Sequence, residues 1–176
     1  MIKNIFVLPL TLLACPLAHA IDTYSVDVGE GNRTSIVKIA VQQSWLSDES
    51  WFAEHNLDTY WEASVADIEG RKYQDREGQK QSFVDFGLTP VFRYRGASKR
   101  GLFAELGVGA NYFTQKYDNN GSQLASNFEF GDHIGLGYLF SNNIEVTLKF
   151  QHFSDAGIKE PNSGLNMGLI KIAYPF

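Results

Sequence analysis

The chain has 176 residues, 44% of them hydrophobic and 14% aromatic, which supports one domain with a packed interior and excludes a disordered chain. Its formal charge is −5 and it has no run of Lys or Arg, which argues against a nucleic-acid binder. High aromatic content beside 16 glycines suits pleated strands, tight turns and membrane-interface belts better than a helical bundle.

Residues 1–20 read as a secretory signal peptide: Lys3 near the start, an apolar run from Ile5 to Leu13, and Ala18-His19-Ala20 as a small-x-small cleavage site. A lipoprotein signal ending Leu13-Ala14-Cys15 is the alternative, in which Cys15 carries lipid and begins the mature chain. Cleavage after Ala20 removes Cys15, and with it any disulfide or thiolate chemistry. It also removes Lys3, taking the formal charge from −5 to −6. No later stretch reaches the roughly twenty apolar residues of a transmembrane helix.

From residue 22 onward the recurring signal is period-two alternation, the pattern of strands with two different faces. It predicts eight strands, at 23–29, 34–45, 57–67, 81–94, 102–113, 127–139, 144–153 and 165–176. In the fourth, Val84, Phe86, Leu88, Pro90, Phe92 and Tyr94 share one face, opposite Asp85, Gly87, Thr89 and Arg93. In the fifth, Leu102, Ala104, Leu106, Val108, Ala110 and Tyr112 oppose Glu105, Gly107, Gly109 and Asn111. A soluble sandwich alternates too, but strands of about ten or more residues fit a tilted membrane crossing better than a soluble sheet.

The connections 68–80 and 114–126 are long and polar, whereas 95–101 and 140–143 are short, the asymmetry of a barrel with long outer loops. Asn119-Asn120-Gly121 in the longer loop is a turn signal. The inner connection 46–56, flanked by Trp45 and containing Trp51, is the exception, and interface anchoring is its only evident role. At the end of the chain Ile170, Ile172, Tyr174 and Phe176 alternate to a final aromatic, which resembles the terminal strand of bacterial outer-membrane barrels. Residues 21–176 are therefore expected to form an all-β, eight-stranded antiparallel transmembrane β-barrel in the outer membrane, closed because an open sheet edge in lipid leaves backbone groups unpaired.

The seventh strand carries the chemistry. Ile144, Val146, Leu148 and Phe150 form the face expected to touch lipid, and the same parity continues to His152 and Ser154. With both termini inside, this strand runs outward and sets His152 near the outer leaflet, where lipopolysaccharide resides. Residues i and i+2 start about 6.6 Å apart, so a Ser154–His152 hydrogen bond requires a bend supplied by the turn-rich segment 155–164.

The run His152-Phe153-Ser154-Asp155-Ala156-Gly157-Ile158-Lys159-Glu160-Pro161-Asn162-Ser163-Gly164 resembles the His-x-Ser-Asn-Ala-Gly-x-Lys-x-Pro-Asn-x-Gly motif of the PagL-type lipid A 3-O-deacylases. Phe130-Gly131-Asp132-His133-Ile134-Gly135 is similar to that family's sixth-strand segment. The resemblance implies a barrel that hydrolyses the acyl ester at position 3 of lipid A in lipopolysaccharide, without metal or cofactor, surrounded by outer-membrane lipid; a homodimer stays open. Ser154 would be the nucleophile and His152 the general base, while Asn162 and backbone N–H groups around Gly157 would hold the oxyanion.

Two residues depart from the motif. The glutamate that orients the histidine in the family is Asn166 here, and the asparagine after the serine is Asp155. An amide oxygen at 166 can fix the tautomer of His152 but brings no charge. Asp155 and Glu160 are the candidate substitute acids, and Asp132 is a candidate support for the loop. His55 and His133 have no companions at ligand spacing and read as structural, not as metal ligands. The rival readings are a non-catalytic barrel acting as anchor or adhesin, and a phospholipase working through the same residues.

Overall fold

Period-two patterning over long segments leaves one arrangement that pairs every backbone group in hydrocarbon: strands bonded on both sides until the sheet meets itself. The computed structural model describes residues 21–45, 51–96 and 100–176, and the expected signal peptide, including Cys15, lies outside the described residues. Eight strands form the barrel: β1 (Thr23–Gly31), β2 (Thr34–Ser44), β3 (Leu57–Gly70), β4 (Gln81–Arg95), β5 (Gly101–Phe113), β6 (Phe128–Leu139), β7 (Glu145–Ser154) and β8 (Leu165–Pro175). Each is antiparallel to the next, and β8 returns to β1 from Thr23↔Pro175 to Glu30↔Gly168, which closes the sheet. The all-β, eight-stranded expectation agrees with this, and β3 runs furthest past its predicted end because Thr34↔Gly70 still pairs.

The turns carry the geometry their sequences specify. Asn32 and Arg33 both adopt positive φ, 48° and 53°, between paired Gly31 and Thr34, the backbone that a two-residue hairpin matched to strand twist requires. In the third outer loop, Asp118–Asn119 and Ser122–Gln123 pair over the Asn120-Gly121 turn. The inner connection holds one helical turn, α1 (Trp51–Glu54), and the aromatics beside it fold back on the wall. Trp45 packs on Trp61 and Phe92 at centroid separations of 6.1 and 5.9 Å, and Phe52 lies 6.3 Å from Phe92. This cluster gives the inner rim an interfacial anchor.

The two walls differ as the alternation predicts. Outward are Val26, Val28, Ile39, Leu88, Leu106, Leu136, Leu148 and Ile170, all exposed. Tyr24, Tyr174 and Phe176 cluster at the closing seam, with Tyr24 5.3 Å from Phe176. Inward, the lumen is filled. Ile36, Ile68, Phe83, Phe113, Leu124, Phe153, Leu165 and Met167 form an apolar plug towards the outer end. Over it the third outer loop folds Tyr117 and Asn119 inward: the Tyr117 hydroxyl meets Thr34 Oγ1 at 3.0 Å, and Asn119 Nδ2 donates to the Asn32 carbonyl at 2.9 Å.

Below the plug, Lys38, Arg93, Lys149 and Lys171 interleave with Asp27, Glu62, Glu105 and Glu145. Glu62 is the hub, with Lys38 Nζ at 2.9 Å, Lys171 Nζ at 2.6 Å and Lys149 Nζ at 3.7 Å. Opposite charges offset one another here, whereas removing one partner strands the others. Glu62→Ala is accordingly expected to destabilise the barrel by about 3–5 kcal/mol, read as a lower denaturant midpoint for loss of its heat-modifiable electrophoretic form. An unchanged midpoint would remove Glu62 from the centre of this network.

Candidate active site

The register of β7 sets the site. His152 pairs with Asp132 of β6 on one side and with Asn166 of β8 on the other, so all three lie in one row across the outer wall. Ser154, two residues on, keeps the same parity and pairs with Phe130. His152, Ser154 and Asp132 are half-buried, and Asn166 is exposed on that wall. The expected projection of His152 and Ser154 outward, beside Phe150 and Leu148, is what the backbone dictates.

His152 Nδ1 and Asn166 Oδ1 are 2.7 Å apart. Because an amide oxygen only accepts, Nδ1 carries the proton and Nε2 presents its lone pair. Behind the ring, Gly164 sits at φ +71°, and a Cβ there would meet His152 Cε1 at 2.7 Å. Asn166 thus fixes the tautomer while the close approach of Gly164 fixes the ring plane. Gln151, inward-facing, donates to the Asp132 carbonyl at 3.0 Å and fastens β6 to β7 at this level. Among the described residues no hydrogen bond joins Ser154 to His152 and Ser154 Oγ has no partner, so the bend expected to bring them together is not closed in this structure.

The loop after Ser154 is held by Asp155. That residue points into the barrel, is 1% exposed, and accepts the N–H of Gly157 on Oδ1 and of Lys159 on Oδ2, both at 3.0 Å. Its own N–H donates to Asn162 Oδ1 at 3.3 Å, which seats the Asn162 amide beside the peptide that follows Ser154. Asn162 Nδ2 has no partner among the described residues and is a free donor. The Gly157 N–H, in contrast, is spent on Asp155. The loop is tied to its neighbour by Ala125 N–H on the Pro161 carbonyl and Ser163 N–H on the Gln123 carbonyl, each 2.9 Å.

Of the candidate acids, Asp155 faces the lumen and so lies on the wall opposite His152, and the exposed Glu160 accepts the N–H of Asn162 at 3.1 Å. Neither is brought to the imidazole; the register instead sets Asp132 of β6 directly across from His152. Its position follows from the register of β6 against β7, which motif spacing alone does not reveal. Alongside the site the outer wall is hollowed: a shallow groove of about 520 Å³ begins one step further along β8, at Gly168, between Val28, Leu148 and Ile170. A Cβ at Gly168 would meet nothing within 4 Å, so the missing side chain is what opens it.

Residues 36–175 match the family model described as lipid A 3-O-deacylase (PagL). The lipid A deacylase PagL of Pseudomonas aeruginosa is 31% identical over 166 residues, covering 90% of this chain and 91% of that protein. Its counterpart from Bordetella bronchiseptica is 39% identical over 87 residues, which is 49% of this chain and only about half, 47%, of that relative. Among solved structures, the crystal structure of the outer membrane enzyme PagL superposes with a TM-score of 0.73 at 27% identity, covering 88% of this chain and 99% of that one. A designed transmembrane β-barrel, at TM-score 0.56 and 14% identity, shares the fold alone. With the motif, the row on the outer wall and a match across most of the barrel in agreement, the chain belongs to the lipid A 3-O-deacylase (PagL) family of outer-membrane β-barrels.

Proposed function

We propose that this protein hydrolyses the acyl ester at position 3 of lipid A, with Ser154 as nucleophile and His152 as general base, working from the outer leaflet of the outer membrane. The observation that carries the reading is the His152–Asn166 hydrogen bond on the lipid-facing wall, with Ser154 on the same face. The tautomer it imposes leaves Nε2 as the only ring nitrogen able to take a proton from Ser154. Attack of Oγ on the ester carbonyl gives a tetrahedral oxyanion while the proton passes to Nε2. Collapse of that intermediate breaks the bond to the sugar oxygen, which takes the proton back, and water then releases the fatty acid from the serine by the same sequence.

A catalytic hydrogen bond that is open without substrate commonly closes in the loaded enzyme, so the Ser154–His152 gap is compatible with this role. Asn162 Nδ2 supplies an oxyanion donor, an interaction typically worth about 3 kcal/mol. Gly157 can add its N–H only by sharing it with Asp155. The acyl chain has a path along the groove opened by Gly168, parallel to the surrounding hydrocarbon. Residues 1–20 act as the export signal in this reading.

Ser154→Ala and His152→Ala each abolish release of the position-3 fatty acid, seen by mass spectrometry as lipid A that keeps one more acyl chain, while the heat-modifiable barrel persists. Full activity in Ser154→Ala would end the serine-esterase reading in favour of a barrel whose chemistry, if any, lies elsewhere. Gly164→Ala pushes the imidazole off line without touching its chemistry and lowers kcat by about 10²-fold, the usual consequence of a 1 Å misplacement; a wild-type rate would mean that ring position is set elsewhere. Asn166→Leu removes the acceptor at similar volume and lowers kcat by about 10²-fold or more, within the range of general-base assistance. Asn166→Glu keeps the acceptor, adds charge and exceeds the wild-type rate.

A further inference from the structure

One residue of the loop motif has no part in the reaction above: Lys159. It is the one cation of segment 155–164, in the loop that also carries Asn162. Its backbone is tied down, because Ile158 N–H donates to the Asp155 carbonyl at 3.2 Å and Lys159 N–H donates to Asp155 Oδ2 at 3.0 Å. Asp155 is buried and directly follows Ser154, so Lys159 starts one carboxylate side chain away from the residue next to the nucleophile.

The side chain stands free. Among the described residues the Lys159 ammonium has neither an ion pair nor a hydrogen bond, and Glu160, the acid next to it in the chain, is turned to the N–H of Asn162. Around the β1–β2 hairpin and the β3–β4 connection the cations are paired: Arg33 with Glu77 at 2.8 Å, Arg71 with Glu30 at 3.0 Å, Lys72 with Asp75 at 2.7 Å and Lys80 with Glu69 at 2.9 Å. Arg76 and Lys116 are unpaired as well. Arg76, however, belongs to the β3–β4 connection, across the ring of strands from β7, and Lys116 is held at β4 by the bond from Gln81 Nε2 to its carbonyl.

Ile158, immediately before Lys159, is 67% exposed. An exposed aliphatic residue beside an exposed lysine suits the boundary between acyl chains and headgroups, the first in hydrocarbon and the second among polar groups. The charge of the chain makes a local cation matter. At −5 overall the protein repels an anionic lipid at long range, so attraction has to come from a placed positive group. Lipid A is such a lipid: it is a phosphorylated glucosamine disaccharide, and a single ring carbon separates position 3 from the anomeric carbon that bears a phosphate.

We propose that Lys159 is a specificity-determining residue that binds the anomeric phosphate of the sugar whose position-3 ester is cleaved, and so orients that ester over Ser154. The inference rests on the serine-esterase reading of the site. A lysine suits the task because its ammonium offers three donors on a flexible four-carbon stem, able to follow a phosphate that moves with the sugar. An ester lipid without that phosphate gains nothing from the contact, so the loop selects a phosphorylated glycolipid over a neutral one.

Two substrates test this: lipid A bearing its anomeric phosphate, and the same lipid A freed of it by mild acid, both in nonionic detergent at low ionic strength. Wild type, Lys159→Ala, Arg76→Ala and Ser154→Ala are compared by kcat/KM for fatty-acid release, with heat modifiability reporting the fold. The wild type favours the phosphorylated substrate by roughly three- to tenfold, the scale of one solvent-accessible charged contact, and the preference shrinks as salt is raised. Lys159→Ala loses the preference, falling on the phosphorylated substrate and matching the wild type on the other, while Arg76→Ala keeps it. Should Lys159→Ala lose the barrel, Lys159→Gln takes its place. The proposal is overturned by a wild type equally fast on both substrates, by a preference that survives removal of Lys159, by an equal loss on both substrates, or by Arg76→Ala losing the preference too. In each of those cases an inactive Ser154→Ala leaves the esterase reading standing, whereas an active Ser154→Ala sinks that reading itself.

Discussion

A polypeptide in hydrocarbon has to pair every backbone N–H and C=O within itself, and a sheet does so only by closing. Closure fixes which side chains of each strand face out, because parity along a strand cannot change without a bulge. The chemistry inherits that constraint. His152 and Ser154 stand on the lipid side because Leu148 and Phe150 do, and Asp132 and Asn166 flank the histidine because the β6 and β8 registers bring their outward positions level with it. In the proposed reaction an ester buried among acyl chains thus meets its nucleophile without leaving the membrane phase.

The wall that faces away from the substrate supplies the rigidity. Gln151 bridges β6 and β7 from inside, Asp155 gathers two loop N–H groups from inside, and the ionic lattice centred on Glu62 fills the lumen between them and the inner rim. A barrel of this size with an empty lumen would flex at the strand that carries the site; one packed with paired charges and an apolar plug holds a fixed frame. Polar inner wall and reactive outer wall are therefore two sides of the same residues' alternation, with Asp155 supporting from within the turn that Ser154 begins from without.

This division explains what the amino-acid order made legible. Strand number, face assignment and the outward projection of His152 and Ser154 follow from period two alone, and the motif added the roles. The location of Asp132 beside His152 was hidden, because it depends on how β6 is registered against β7, and nothing local to either strand states the register. The role of Asp155 was hidden for a related reason. As a carboxylate near a histidine in sequence it reads as a substitute acid, yet opposite parity sends it to the lumen, where it is a loop staple. Gly157 was read as an oxyanion donor from its motif position; that its N–H is already taken depends on the same inward turn of Asp155. The aromatic cluster of Trp45, Trp61 and Phe92 joins three separate segments and is visible only once they are paired.

The amide at position 166 can be understood from where it stands. An ionised carboxylate on an exposed, lipid-facing wall is costly, since little solvates it. Asn166 accepts the His152 proton at 2.7 Å with no such cost and leaves the resting row one charge short of a glutamate-containing site. In the proposed reaction the cost falls on the transition state, where the imidazolium has no anion on its Nδ1 side. Such a site trades transition-state charge stabilisation for an easier resting state, and the trade is tolerable because the Asn166 hydrogen bond and the close approach of Gly164, rather than an ion pair, fix the orientation of the histidine.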